Sequence, residues 1–263
     1  MTKLLRLLDP HRLQSLLLAV AAIAAWEGLC RLLHVSPLVL PAPFAIAAKL
    51  QSFFVTGTIW SHLWATLVEI ILGFVFGVLA GLVIGAMISL IPIVERLVYP
   101  YLVALQTIPK VAIAPLFIIW FGYGLTSKVV ITALICFFPM LVSVVAGFHS
   151  TDQDQLDMMK AFGATKWQTL VRLRIPSALV LIFAGLEIAS VLAVIGAIVG
   201  EFVGAQAGLG YLIVALNFSL DVPGVFAVLI VLSIIGLAMH GLMRTVARRY
   251  IFWIRRNEPP VMA

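Results

Sequence analysis

Charge is what this chain has least of. Only 11% of its 263 residues are Asp, Glu, Lys or Arg, while 63% are hydrophobic. A water-soluble fold of that composition would leave more apolar surface than one core can bury, so a soluble domain is excluded. Cysteine is nearly missing: Cys30 and Cys136 both lie in apolar runs and read as two buried thiols, not a disulfide or a metal pair. His11, His34, His62, His149 and His240 are scattered without ligand spacing, so no metal centre is expected. No GxxxxGK[ST] phosphate cradle, nucleophile elbow or Cys/His pair occurs, which argues against an ATPase or another enzyme. The first apolar run has no small-residue cleavage site before Trp26, so it reads as a span and not a cleaved signal.

What is present is a succession of apolar runs, and together they predict an all-α membrane protein with six transmembrane helices. The runs are Leu13–Leu33, Leu63–Ile91, Leu97–Phe121, Val129–Gly147, Ala178–Gly200 and Gly224–Met243. A hydrocarbon core needs about 20 apolar residues, so the second run is long and has to tilt or protrude. Gly73, Gly77, Gly81 and Gly85 recur every fourth residue within it, a small-residue face on which another helix backbone approaches closely. Pro109 and Pro115 interrupt the third run, with Lys110 between them. The LPAP stretch at 40–43 predicts an extended connection leading into a surface helix. Three parts follow from this pattern. Residues 1–12 form a basic interfacial segment, 13–243 the six-span domain, and 244–263 a basic tail.

The net charge of +6 gains its meaning from where the bases lie. Six spans put both termini on one side. With that side in the cytoplasm, the inner bases are Lys3, Arg6, Arg12, Arg96, four in the interval 150–176 and five in the tail (Arg244, Arg248, Arg249, Arg255, Arg256). The outer ones are Arg31, Lys49 and Lys128. The positive-inside rule therefore predicts cytoplasmic termini, and the tail reads as an anchor to anionic lipid and not to nucleic acid.

The polar interval Ser150–Pro176, STDQDQLDMMKAFGATKWQTLVRLRIP, lies on that same side. Its pattern predicts a turn, a helix stopped at Gly163, and a second amphipathic helix ending at Pro176. Asp157 stands six residues before Gly163, and Gly163 thirteen before Pro176, with Leu173 and Ile175 just ahead of the proline. This resembles the EAA loop of ABC-importer permeases, with Met158 and Met159 in place of its two small residues. LPAP at 40–43, PLFIIWFGYG at 115–124 and GEFVGAQAGLGYLI at 200–213 extend the likeness to the nitrate, sulfonate and taurine group. QTIPKVAIAPLFIIWFGYG and LICFFP look closer to its thiamine-pyrimidine-precursor or riboflavin branch.

The resemblance implies the type I ABC-importer permease fold and a prokaryotic inner-membrane location. It also implies two ATP-binding subunits that carry ATP and Mg, a second permease copy (identical or paralogous), and an external solute-binding protein. The segment Asp157, Met158, Met159, Lys160, Ala161, Phe162, Gly163 and Ala164 becomes the ATPase-docking helix. An ion-coupled secondary carrier is the competing class, its intramembrane acids then serving as ion sites; no internal repeat supports it.

Charges inside the spans mark either structural ion pairs or the solute path, since each costs roughly 2.5–3.5 kcal/mol near the bilayer centre. Glu69, Lys110, Glu187 and Glu201 are these residues. Lys110 is expected to pair with Glu69 or Glu187. Glu69, near a span end, is the one placed to reach the interface. Glu201 is expected either to cap or solvate locally or to shape the outer gate.

Overall fold

Residues 10–251 are described by the structure, a computed structural model, and among them every regular element is helical. In chain order the helices are α1 (Pro10–Leu32), α2 (Pro43–Val55), α3 (Thr58–Leu90) and α4 (Pro92–Gln106). A 3-10 turn, Lys110–Ile113, leads to α5 (Ala114–Phe121) and α6 (Leu125–His149). The polar interval supplies α7 (Gln153–Ala161) and α8 (Lys166–Thr169), and α9 (Ile175–Gly204), α10 (Leu209–Phe218) and α11 (Val222–Tyr250) complete the chain. Among the described residues five helices are long and apolar enough to cross a membrane, and six if the α4–α5 pair counts as one span. α3, at 33 residues, is about 50 Å long and exceeds a hydrocarbon core of about 30 Å.

One expectation is corrected and one is given a shape. The third run, interrupted at Pro109 as its sequence suggests, bends sharply: α4 and the 3-10/α5 unit meet at 81°. Pro109 has no N–H to donate and pushes Ile108 out of the helical region, so the chain closes on itself there. The Thr107 N–H and hydroxyl both donate to the Ala104 carbonyl, at 3.1 and 2.7 Å. The second helix of the polar interval does not end at Pro176. A π-turn at Leu170–Arg174 carries α8 directly into α9, with Pro176 in that helix's first turn. The wider turn makes room for the proline ring where it would otherwise meet the carbonyl four residues back.

α6 is the axis of the bundle, with α3 on one side and α9 on the other. All four glycines of the α3 series are buried and face it. A Cβ on Gly81 would stand 2.8 Å from Met140 Cβ, and one on Gly85 2.9 Å from Val144 Cβ. At Gly77 the Ala133 carbonyl, and at Gly73 the Thr132 side chain, occupy that space. From the other side Gly196 lies against the same Thr132 and Gly200 against Lys128. Close backbone approach on both flanks brings polar groups of three helices within reach of one another.

α11 packs on α9, and α2 on α11. α1 is almost wholly exposed along its length and is tied down at its far end. There Glu27 Oε2 accepts the Phe44 N–H at the start of α2 (2.9 Å), and Trp26 meets Phe226 at 6.4 Å. α11 continues to Tyr250, so Arg244, Arg248 and Arg249 of the basic stretch lie within that helix. Lys3, Arg6, Arg255 and Arg256 lie outside the described residues.

Candidate functional site

Two polar places stand at opposite ends of α6, which at 25 residues spans about 37 Å. The first is the α7–α8 segment following His149. Asp152 begins α7 by accepting the Asp154 N–H at 3.2 Å. Gly163 adopts φ +70°, and its N–H donates to Lys160 O at 2.9 Å while the Ala164 N–H reaches Met159 O at 3.0 Å. This is a Schellman closure, for which a left-handed glycine is the ordinary solution. A capping box then starts α8: the Gln168 N–H donates to Thr165 Oγ1 (3.2 Å) and the Thr165 N–H to Gln168 Oε1 (2.8 Å).

No residue of α7 is buried. Asp157 accepts from Lys160 Nζ at 2.7 Å and from the Gln153 amide at 3.2 Å. The Lys160 hydrogen bond, more than its charge or the Gln153 amide, holds the Asp157 carboxyl below the usual range. Met158 and Phe162, one helical turn apart, leave 49% and 82% of their surface open, and Trp167 leaves 71%. This polar segment thus leaves large apolar side chains facing outward.

The second place is a buried cluster at the start of α6. Lys128 Nζ lies 2.6 Å from Glu69 Oε1. Glu201, near the end of α9, accepts the Thr66 hydroxyl at 2.6 Å and the Gly210 N–H. Thr66 Oγ1 accepts the Leu209 N–H at 2.7 Å, and His62 Nδ1 the Gly208 N–H at 3.1 Å. Three successive N–H groups at the N-terminus of α10 are thus capped by side chains from α3 and α9. Gly208, at φ +123°, has Glu201 where a Cβ would stand, so only glycine admits the carboxylate there.

Among the described residues Lys110 pairs with neither Glu69 nor Glu187, and Glu69 is buried within the bundle. The partner of Glu69 is Lys128, because the glycine-lined approach of α3 to α6 sets those two side chains together. Lys110 donates instead to the Gln106 carbonyl at 2.8 Å and sits 4.8 Å over the Phe138 ring. Glu187 opens with His240 onto a groove of about 480 Å³ between α9 and α11. Glu201 takes the capping role. Sequence reasoning missed Lys128, Thr66 and His62. The glycine register held a signal, since stepping back from Gly73 in threes and fours lands on Glu69, Thr66 and His62. Among the described residues no group of three His, Cys, Asp or Glu is arranged to hold a metal.

The family model for "Binding-protein-dependent transport system inner membrane component" matches residues 73–252. The formylaminopyrimidine transport permease of Halalkalibacterium halodurans is 38% identical, over 93% of this chain and 97% of its own. The riboflavin transport system permease of Chloroflexus aurantiacus is 40% identical, over 87% and 85%. The taurine transport system permease of Escherichia coli is 31% identical, over 88% and 86%. Among solved structures, the inward-facing MetNI methionine ABC transporter aligns with a TM-score of 0.61 at 20% identity, covering 71% of this chain and 93% of that one. That likeness is one of fold.

Proposed function

The chain belongs to the binding-protein-dependent transport system inner membrane component family, and we propose that it translocates a small solute, handed over by an external binding protein, while the segment Asp157–Ala164 grips a separate ATPase. It is a multi-pass inner-membrane permease subunit of an ABC importer, and ATP hydrolysis belongs to another subunit. The observation that carries the docking role is the exposed apolar pair Met158 and Phe162, on a capped helix with no buried residue. A helix held at one end by the Asp152 cap and at the other by a Schellman closure transmits displacement instead of absorbing it. Beyond the turn at Gly163, the continuation of α8 through the π-turn into α9 gives the ATPase a lever on the helix that carries Glu201 near its far end.

In this reading the α7–α8 segment and both termini face the cytoplasm, as the distribution of bases favours. ATP and Mg stay with the partner. The permease works as a pair, of identical or paralogous chains, and alternates between inward- and outward-open states. ATP binding biases it because the docked segment makes different contacts in the two. For the solute we favour a planar nitrogen heterocycle, since the relatives at 38% and 40% identity are named for formylaminopyrimidine and riboflavin.

The test is Phe162→Ser in cells carrying the full importer. The permease is expected to reach the membrane in normal amount, lose co-purification of the ATPase subunit, and lose solute uptake. Labelling of a cysteine placed at Lys160 by an impermeant maleimide in intact cells, or an unchanged complex in Phe162→Ser, would overturn the assignment.

A further inference from the structure

The buried cluster at the start of α6 carries one more acid than base. Glu69, Glu201 and Lys128 are exposed by only 1%, 2% and 8%. Fully ionised, they sum to one uncompensated negative charge, which the interior of a membrane protein disfavours. The groups that face them are His62 and Thr66 from α3, Lys128 from α6, and the first turn of α10, where Tyr211 stacks on His62 at 5.8 Å. Among the described residues the one ion pair either acid makes is Glu69 with Lys128.

The hydrogen bonds show where the imbalance sits. Both oxygens of Glu201 act as acceptors, one from the Thr66 hydroxyl and one from the Gly210 N–H, as suits an ionised carboxylate. Glu69 Oε1 accepts from Lys128. Glu69 Oε2 is buried with no hydrogen-bond partner, in the same enclosed cluster as the Glu201 carboxylate. An ionised oxygen buried without a donor is costly, and a second ionised carboxylate in the same enclosed cluster adds to that cost.

We propose that this cluster is a proton-binding site: Glu69 holds a proton on Oε2 and donates it to Glu201, making the three-residue set neutral. The chain of donors then runs from Lys128 to Glu69 to Glu201, with Thr66 and Gly210 completing the acceptor. Every buried polar atom of the two acids is satisfied, and α3, α6, α9 and the first turn of α10 are tied through one network. A small metal cation would answer the same charge count. The site disfavours it, since the Lys128 ammonium already lies against Glu69 and the Glu201 carboxylate is packed directly onto Gly208.

The test is infrared spectroscopy of the full-length protein in lipid nanodiscs, with glutamate labelled in its side-chain carboxyl carbon. The parent is expected to show a neutral carboxylic-acid carbonyl band at neutral pH that moves with the glutamate label and in D2O. Glu69→Gln should lose that band while melting with the parent, because the amide reproduces both the acceptor toward Lys128 and the donor toward Glu201. Glu201→Gln should also lose it, since Glu69 is then free to ionise against Lys128. This second variant, with the labelling itself, decides the matter even if Glu69→Gln fails to fold. Absence of the band in the parent, its persistence in Glu69→Gln, or sodium-dependent melting without a band would each overturn the proposal.

Discussion

Lys49 and Asp221 join two helices far apart in sequence. The ammonium at the exposed edge of α2 lies 2.5 Å from Asp221 Oδ2, while Oδ1 of the same carboxyl accepts the Gly224 N–H at 3.0 Å. One side chain thus caps α11 and anchors α2 to it. Loss of an N-cap costs about 1 kcal/mol and a half-exposed ion pair contributes about 0–1 kcal/mol. Asp221→Ala is therefore expected to lower the melting temperature in detergent more than Asp221→Asn, which keeps the cap and loses the charge. Equal drops would show that the cap contributes nothing.

Gly77 meets backbone on the neighbouring helix, and backbone cannot step aside. Gly77→Ala places a methyl against the Ala133 carbonyl and 2.8 Å from Cys136 Cβ. Overpacking of this kind costs about 1–3 kcal/mol. Gly236→Ala, with nothing within 4 Å, serves as the control in an equally apolar helix. The expected result is a reduced yield of folded protein and an earlier melt for Gly77→Ala alone, read by size-exclusion and thermal unfolding.

Gly163 poses the opposite case, because a Cβ there meets no atom within 4 Å while φ is +70°. The cost of Gly163→Ala is conformational, roughly 1–2 kcal/mol for a left-handed alanine. It should be confined to the end of α7. Hydrogen exchange is expected to quicken at the Gly163 and Ala164 amides without a change in the global melt. Gly163→Asn should show a smaller effect, since asparagine tolerates this region better.

The Asp157 carboxyl is held low chiefly by its hydrogen bond from Lys160. A depressed carboxylate stabilises the folded helix above its ordinary titration range, and that contribution is lost as pH falls through the lowered value. Lys160→Met is expected to return the Asp157 titration toward the ordinary range, followed by the carboxyl carbon shift in labelled protein. An unmoved midpoint would mean that the ion pair is not formed in solution.

Much of the architecture was legible from residue type and spacing alone. Apolar runs marked the long helices because the bilayer leaves the backbone no other way to satisfy its polar groups. Gly163 marked the end of α7 because few residues other than glycine take that turn. The proline at 176 misled, since whether a proline breaks a helix depends on the turn before it, and the π-turn at Leu170–Arg174 has no spacing signature.

By itself the sequence determined that the chain lives in a membrane, which face α3 offers to a neighbour, and the polar segment that resembles an ATPase-docking loop. All of these are local or periodic properties. Only the tertiary structure decided which charges meet. Glu69 and Lys128 are 59 residues apart, and Thr66 and Glu201 are 135 apart. Their pairing depends on how closely α3 and α9 approach α6, a distance set by glycines that carry no charge at all.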